Sequence, residues 1–383
     1  MTEPDMESAR ATEPDVESVE AMETPVGCVD LRRVRANARR VAEYVREHGL
    51  GWRPHIKTHK SREIATIQLE AGARGLTVAT LREAEVMADL TEDILLAYPP
   101  VGQAKLQRLV SLPSSLGLKV ALDSEEVLRP LAEAAAAVGR SVGVLVEQDV
   151  GLGRVGVRTS EEVVTLARLC QSLEGVSFQG LMFYPGHIRM EEEAQTAHLA
   201  EVSRRVRATL DALIDVGLEA RIVSGGSTPT LWRSHEVDGL TEIRSGSCIY
   251  NDREALAVGV ATVDDLAYTV LATVVSTAVP GRAVVDAGSK ALAKEARGEG
   301  EAFGILLDRP EVPVVSLSEE HGVLDLSATS WVPSIGDKVR IVPNHVCVSV
   351  NLQDRILAVD DQGDHVIVPE ARGRGPWGSR ARR

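Results

Sequence analysis

Short runs rich in Val, Ile and Leu alternate along this chain with longer stretches whose apolar positions recur every three to four residues. The first pattern is that of a strand and the second builds one face of a helix. The strand runs are Trp52–Lys57, Gly75–Ala79, Asp93–Ala97, Lys119–Leu122, Val142–Gln148, Phe178–Phe183, Ala220–Ser224 and Glu242–Arg244. Helical stretches separate them, among them Ser61–Ala71, Leu81–Leu90, Ser124–Val138, Ser160–Ser172 and Glu191–Val216. Ser61 and Ser160 are residues of the type that caps a helix N-terminus. Eight strands in strict alternation with helices predict a (β/α)8 TIM barrel. An open doubly wound sheet is the alternative, and the count of eight favours the barrel.

Past residue 255 the pattern changes. Tyr268–Ser276, Ala283–Asp286, Val312–Ser318, Lys338–Pro343, Val346–Asn351 and Arg355–Val359 all read as strands between Gly and Pro turns. This predicts a C-terminal, mostly β domain over residues 256–370, which Pro25–Val29 could join as a further strand. The barrel then spans 25–255. Residues 1–24 contain a near-repeat from Thr2 and Thr12 and read as a disordered acidic leader, with too little apolar surface to offset the entropy of ordering. Residues 371–383, rich in Gly and Arg, read as a second disordered tail.

Composition narrows the function classes. Lys and Arg number 42 against 56 Asp and Glu, a formal charge of −14, which argues against a nucleic-acid partner. No apolar run approaches the roughly 18 residues needed to span a membrane, and the acidic start is not a secretory signal. The four cysteines, Cys28, Cys170, Cys248 and Cys347, are scattered without any Cys-x-x-Cys pair. That fits a reducing cytoplasm better than a disulfide framework.

Chemistry in such a barrel belongs at the C-terminal ends of the strands. Lys57 ends the first run, Asp149–Arg154 follows the fifth, Tyr184–His187 the sixth, Ser224–Thr230 the seventh and Arg244–Ser247 the eighth. Gly225, Gly226 and Gly246 would let the backbone approach an anion, Ser227, Thr228 and Ser247 add hydroxyl donors, and a helix starting near Pro229 would aim its amides there. Two ordinary Gly/Ser turns would look the same singly; both at the expected places favour a phosphate site. His55 and His59 flank Lys57 at i±2, on one face of a strand, where cationic or dipolar neighbours would lower its pKa toward the neutral amine that Schiff-base chemistry needs. Lys60 competes but lies past the strand end. His345 and Cys347, two apart on a β-like run, would point the same way and suit zinc. A lone His-x-Cys is more often a core coincidence. Two such ligands cannot close a structural site, although they could hold a catalytic zinc.

The segments Pro54–Lys60, Asp149–Gly156, Tyr184–His187, Ser224–Thr230, Val285–Leu292, Ser318–Gly322 and Pro343–Leu352 together resemble the fold-type III pyridoxal-phosphate enzymes of the D-serine dehydratase and D-threonine aldolase family, which share a barrel with alanine racemase. The similarity covers roughly residues 25–370. The resemblance implies pyridoxal 5'-phosphate held by Lys57 as a Schiff base, its phosphate gripped by Gly226, Ser227, Thr228, Gly246 and Ser247, and Tyr184 beside it. It implies Arg154 at the pyridine ring, with Arg244 as rival, and Zn2+ or another divalent metal such as Mn2+ on His345 and Cys347. His59, His187 and His321 are substrate-side or proton-transfer groups in this reading. Relatives often carry Pro before the glycine of the Arg244–Ser247 loop, a departure here that bears on substrate preference. The resemblance further implies a homodimer acting on a small D-amino acid.

Both family reactions place a metal near the β-oxygen of the substrate. The soft thiolate ligand Cys347 favours zinc and the dehydratase over the aldolase, whose second ligand tends to be a carboxylate. A racemase would need a second base, usually a tyrosine of the second domain, yet no tyrosine follows Tyr268. A non-catalytic cofactor-binding protein is the reading from another class, and the β domain with His345 and Cys347 argues against it.

Overall fold

The computed structural model describes residues 22–296 and 301–375; most of the acidic leader and the last eight residues of the Arg-rich tail lie outside them. Eight parallel strands curl into the barrel: Gly51–Trp52, Leu76–Val78, Asp93–Leu96, Gly117–Leu122, Val142–Gln148, Val176–Phe183, Ile222–Gly225 and Glu242–Ile243. The first and second strands are joined just beyond Trp52, where His55 bridges Thr77 and the amides of Ile56 and Thr77 donate to Thr77 and Pro54 carbonyls. The expected (β/α)8 architecture with a β domain is the one observed.

The largest departure within the barrel is at the first strand. The regular ladder stops at Trp52, and residues 56–59 form a turn in which the His59 amide donates to the Ile56 carbonyl. Pro54 has no amide to give a ladder, which ends the regular pairing. Lys57 therefore sits in a turn, and the same-face argument for His55 and His59 does not hold.

Local chemistry sets several helix starts. Asp30 caps Leu31–Glu47 by accepting from the amides of Arg32 and Arg33. Ser160 is the first helical residue and not the cap. Thr159 caps instead, with Glu162 returning the bond in a capping box. Ser61 occupies its cap position without a side-chain bond. The segment after Pro229 is a short 3-10 turn, Leu231–Glu236, in place of the expected helix.

The second domain is a nine-stranded sheet. Its centre is Tyr268–Ser276, paired with Val26–Asp30 on one side and Lys338–Pro343 on another. Val26–Asp30 also runs parallel to Ile356–Val359, so the first described strand belongs to the β domain and leads from it into the barrel. One apolar core joins the units: Trp52, Phe183 and Val223 of the barrel belong to the same buried cluster as Val270, Ile341 and Val350. Among the described residues, no helix is long and apolar enough to cross a membrane.

Val346–Leu352 is a helix, not the expected strand. Alternate valines read as period two, but the buried positions are Val346, Ser349 and Val350, a helical spacing. Helix propensity costs only about 0.5 kcal/mol per valine, and tertiary contacts outweigh it. Ser349 donates to the Ala291 carbonyl at 2.8 Å and lies 3.0 Å from the Tyr268 hydroxyl. The tail also differs from the expectation of disorder at its start: Ala371 is fully buried, and its amide donates to the Lys60 carbonyl.

Candidate active site

A cavity of about 420 Å³ opens at the C-terminal ends of the barrel strands and is walled on one side by the β domain. Lys57, Arg154, Tyr184, Gly226, Ser227, Thr228, Arg244, Gly246 and Ser247 line it from the barrel, and His345 and Cys347 from the Val346–Leu352 helix. Two segments some 290 residues apart in sequence thus meet at one wall: the Thr58 hydroxyl lies 3.1 Å from the Cys347 sulfur.

The floor is stitched from the loops after the seventh and eighth strands. Ser247 donates to Thr228 at 2.9 Å, Ser245 donates to the Ser227 carbonyl at 2.9 Å, and Ser227 lies 3.0 Å from the Thr230 hydroxyl. Gly226 has φ +81°, a left-handed conformation that favours glycine. A Cβ on Gly246 would stand 2.2 Å from the His55 carbonyl oxygen, so only glycine lets this loop pass the first strand. The buried amides of Gly226, Ser227, Thr228 and Gly246 find no acceptor among the described residues. Buried unpaired donors are costly, and a phosphate ester would satisfy them. The floor therefore fits the phosphate of pyridoxal phosphate.

Two arginines flank the space above. The Arg154 guanidinium lies 5.1 Å from the Tyr184 ring centroid, stacked over its face. Arg244 is buried and donates to the Ser224 hydroxyl at 2.9 Å and to the Phe183 carbonyl at 2.7 Å. Burial pulls it down to about 10, against the pull of Glu147. A Cβ on Gly186 would clash with the Tyr184 ring at 2.2 Å, so that glycine gives Tyr184 its place.

Glu147 also lines the cavity and did not emerge from the sequence. Burial raises its carboxyl to about 7, although Arg244 and Arg154 oppose the shift. The signal was there: a carboxylate that follows the apolar run Val142–Val146 at the C-terminal end of the strand Val142–Gln148. Thr58, Arg189 and Glu254 line the cavity as well. Thr58 lies within the Pro54–Lys60 segment but is not distinguished there, and Arg189 and Glu254 carry no local motif and are gathered only by the fold.

His345 and Cys347 face each other. Burial disfavours charge on both, but each supports the other: the Cys347 thiol is pulled below its ordinary range by His345, Lys57 and Thr58, and the His345 imidazole is pushed up by Cys347 and Asp252. An imidazole nitrogen and a soft sulfur side by side are a donor set that fits a divalent metal such as zinc, which would replace the proton they share. His345 Nδ1 is buried without an aligned hydrogen bond. Among the described residues no group of three or more His, Cys, Asp or Glu is placed to hold a metal, so a metal here would leave positions to water or substrate.

The remaining sequence candidates lie elsewhere. His59 does not line the cavity. It is fully buried, its Nε2 is 3.1 Å from Gln68 Oε1, its Nδ1 accepts from the Ser61 amide, and burial lowers it to about 4. It is a neutral packing group against Gln68. His187 stands behind Gly151, near His198, and is lowered by burial. His321 is exposed at the turn before Gly322–Asp325. Lys60 turns away and donates to Asn351 at 2.7 Å. Tyr268 is wholly buried on Ser349 and offers no second base to the cavity.

The profile of the alanine racemase N-terminal domain matches residues 29–254, and that of a serine dehydratase domain matches residues 267–359. The chain is 33% identical to D-threonine aldolase of an Arthrobacter species, over 87% of this chain and 88% of that one. It is 32% identical to D-threo-3-hydroxyaspartate dehydratase of a Delftia species, over 85% and 91%. The crystal structure of D-threonine aldolase from Filomicrobium marinum superposes with a TM-score of 0.85 at 31% identity, covering 93% and 97%. A metal-free cysteine-to-alanine form of D-threo-3-hydroxyaspartate dehydratase superposes at 0.84 with 28% identity, covering 94% and 100%. From these matches, the chain belongs to the family of pyridoxal-phosphate lyases in which an alanine racemase N-terminal domain is joined to a D-serine dehydratase domain.

Proposed function

We propose that this chain is a pyridoxal-phosphate- and zinc-dependent lyase for β-hydroxy D-amino acids, and that it acts as a dehydratase of the D-serine type, giving a 2-oxo acid and ammonia. The meeting of His345 and Cys347 with Lys57 in one cavity carries this reading. The relatives lend support: in the dehydratase structure described as metal-free, the altered residue is a cysteine.

Pyridoxal phosphate, when bound, supplies an electron sink for a carbanion at Cα. A divalent metal supplies Lewis acidity toward the β-oxygen. Lys57 is the covalent anchor of the cofactor and its amine takes the Cα proton. Gly226, Ser227, Thr228, Gly246 and Ser247 would hold the phosphate, and Tyr184, Arg154 and Arg244, which line the same cavity, would contact the rest of the cofactor. His345 and Cys347 bind the metal; His187, next to Gly151, lies outside the cavity lining and takes no part in this reading. Cys347, a soft ligand, favours zinc and departure of the β-hydroxyl.

A retro-aldol cleavage to glycine and an aldehyde is the second reading, favoured by the 33% identity to the Arthrobacter aldolase. Purified protein loaded with cofactor and zinc, then given D-serine and D-threonine, separates the two. Pyruvate and 2-oxobutyrate support the dehydratase, whereas glycine with acetaldehyde overturns it in favour of the aldolase. No product from either substrate or from 3-hydroxyaspartate leaves a cofactor-binding protein. Lys57→Ala should abolish the cofactor's visible band; an unchanged band makes Lys60 the anchor.

A further inference from the structure

Asp252 belongs to the last loop of the barrel, next to the cavity wall but outside its lining. Its side chain is only 4% exposed. One carboxylate oxygen accepts from the Ala255 amide at 3.0 Å and caps the short helix Arg253–Ala257. The other accepts from the Val346 amide at 3.0 Å, at the first turn of the helix that carries Cys347. That same oxygen lies 3.3 Å from His345 Nδ1. Glu254 is farther from this nitrogen, at 3.8 Å, and is engaged by Arg189 at 3.4 Å.

The His345 side chain is 33% exposed although its Nδ1 is buried. His345 lines the cavity, so the part of its ring that reaches the cavity lies away from the buried Nδ1. The approach of Asp252 is not aligned as a hydrogen bond here, but a carboxylate 3.3 Å from Nδ1 favours the proton on that nitrogen and so leaves the Nε2 lone pair for a metal.

We propose that Asp252 is the positioning residue of the metal pair. It orients the His345 ring and fixes its tautomer, and it pins the first turn of the Cys347 helix to the barrel. Both ligands come from the β domain, but their placement over Lys57 is set by a barrel side chain. This rests on the reading of His345 and Cys347 as metal ligands.

The test uses cofactor-loaded protein stripped of metal by a chelator. Cobalt(II) is titrated and its thiolate charge-transfer and d–d bands are followed; zinc is then measured by competition with a chromophoric chelator. Asp252→Asn keeps the shape and an acceptor for one cap but removes the charge. Its zinc and cobalt affinities should fall by about 10- to 100-fold, with altered d–d bands and an unchanged cofactor band. If Asn at 252 prevents folding, Asp252→Glu, which keeps the charge and displaces it, should show a smaller loss and a shifted cobalt spectrum. Affinity within threefold of wild type overturns the proposal. So does a loss that takes the cofactor band with it, since that reports general damage. A wild-type protein that binds neither metal sinks the metal reading itself, and this proposal with it, while leaving the Lys57 assignment intact.

Discussion

At the scale of single residues, burial decides which charged groups do chemistry and which hold the barrel together. Arg53 is buried with Glu242 at 2.9 Å and Asp93 at 2.6 Å, and Ser224 donates to the same glutamate at 2.8 Å. Burial alone would lower Arg53, yet the carboxylates outweigh it and hold it raised. Arg53→Met would leave Glu242 buried and unpaired, and removing one partner of such a pair costs about 3–5 kcal/mol. Urea unfolding should show that loss; a change below about 1 kcal/mol would mean the pair is dispensable. Glu147 gives the opposite case, because its carboxyl is raised to about 7 in the fold. Between the unfolded value and that one the native state binds more protons, so stability falls as pH rises through this window and is level above it. Glu147→Gln should remove the slope, gaining on the order of 2–3 kcal/mol relative to wild type between pH 4 and 8. Parallel pH profiles for the two proteins would contradict the assignment.

At the scale of elements, the floor of the cavity depends on how closely two loops pass the first strand. Gly246→Ala would press a methyl group against the His55 carbonyl, forcing the loop outward from the phosphate position. The cofactor dissociation constant should rise at least tenfold, equivalent to about 1.4 kcal/mol, and cofactor titration followed by absorbance measures it. Gly259→Ala serves as the control: Gly259 lies outside the cavity lining, a Cβ there meets nothing within 4 Å, and its φ is a left-handed +81°. It should cost stability without touching cofactor affinity, which separates strain from site geometry. The Val346–Leu352 helix shows how an element can be misread locally. Its valines satisfy a strand pattern, and only contacts from Ala291, Tyr268 and Asp252 select the helix.

At the scale of the whole molecule, the β domain and the barrel share a core and are strapped by the chain's last described residues. Arg62 donates through its amide to Glu370, Arg82 donates to the Glu370 carbonyl, and Ala371 packs among barrel side chains. Truncation after Val368 would strip these bonds and open the Lys60 turn, where φ is +54°. The Tm should drop by at least ~4 °C, a shift worth more than about 1 kcal/mol for a protein of this size. An unchanged Tm would make the strap incidental. On the proposed function, removing zinc should leave the cofactor band intact while turnover is lost, because Lys57 and the Gly/Ser floor belong to the barrel whereas His345 and Cys347 come from the other domain.

The barrel, the β domain and many of the residues that face the cavity from the βα loops, such as Tyr184, Ser227 and Ser247, were legible in the sequence. Periodicity, Gly/Ser loops and unusual polar residues at strand ends are local, and local sterics and burial determine them. The tertiary structure alone decided the rest. It put Lys57 in a turn and folded His59 away against Gln68. It turned the valine run around Cys347 into a helix and brought Glu147 and Asp252 to the site. The helix around Cys347 and its tie to Asp252 depend on contacts between segments tens of residues apart, whereas the Lys57 turn and the His59–Gln68 contact close over nine residues or fewer but need burial that no local pattern announces. The free energy of burying or pairing a group there exceeds the few tenths of a kcal/mol per residue by which local preference differs.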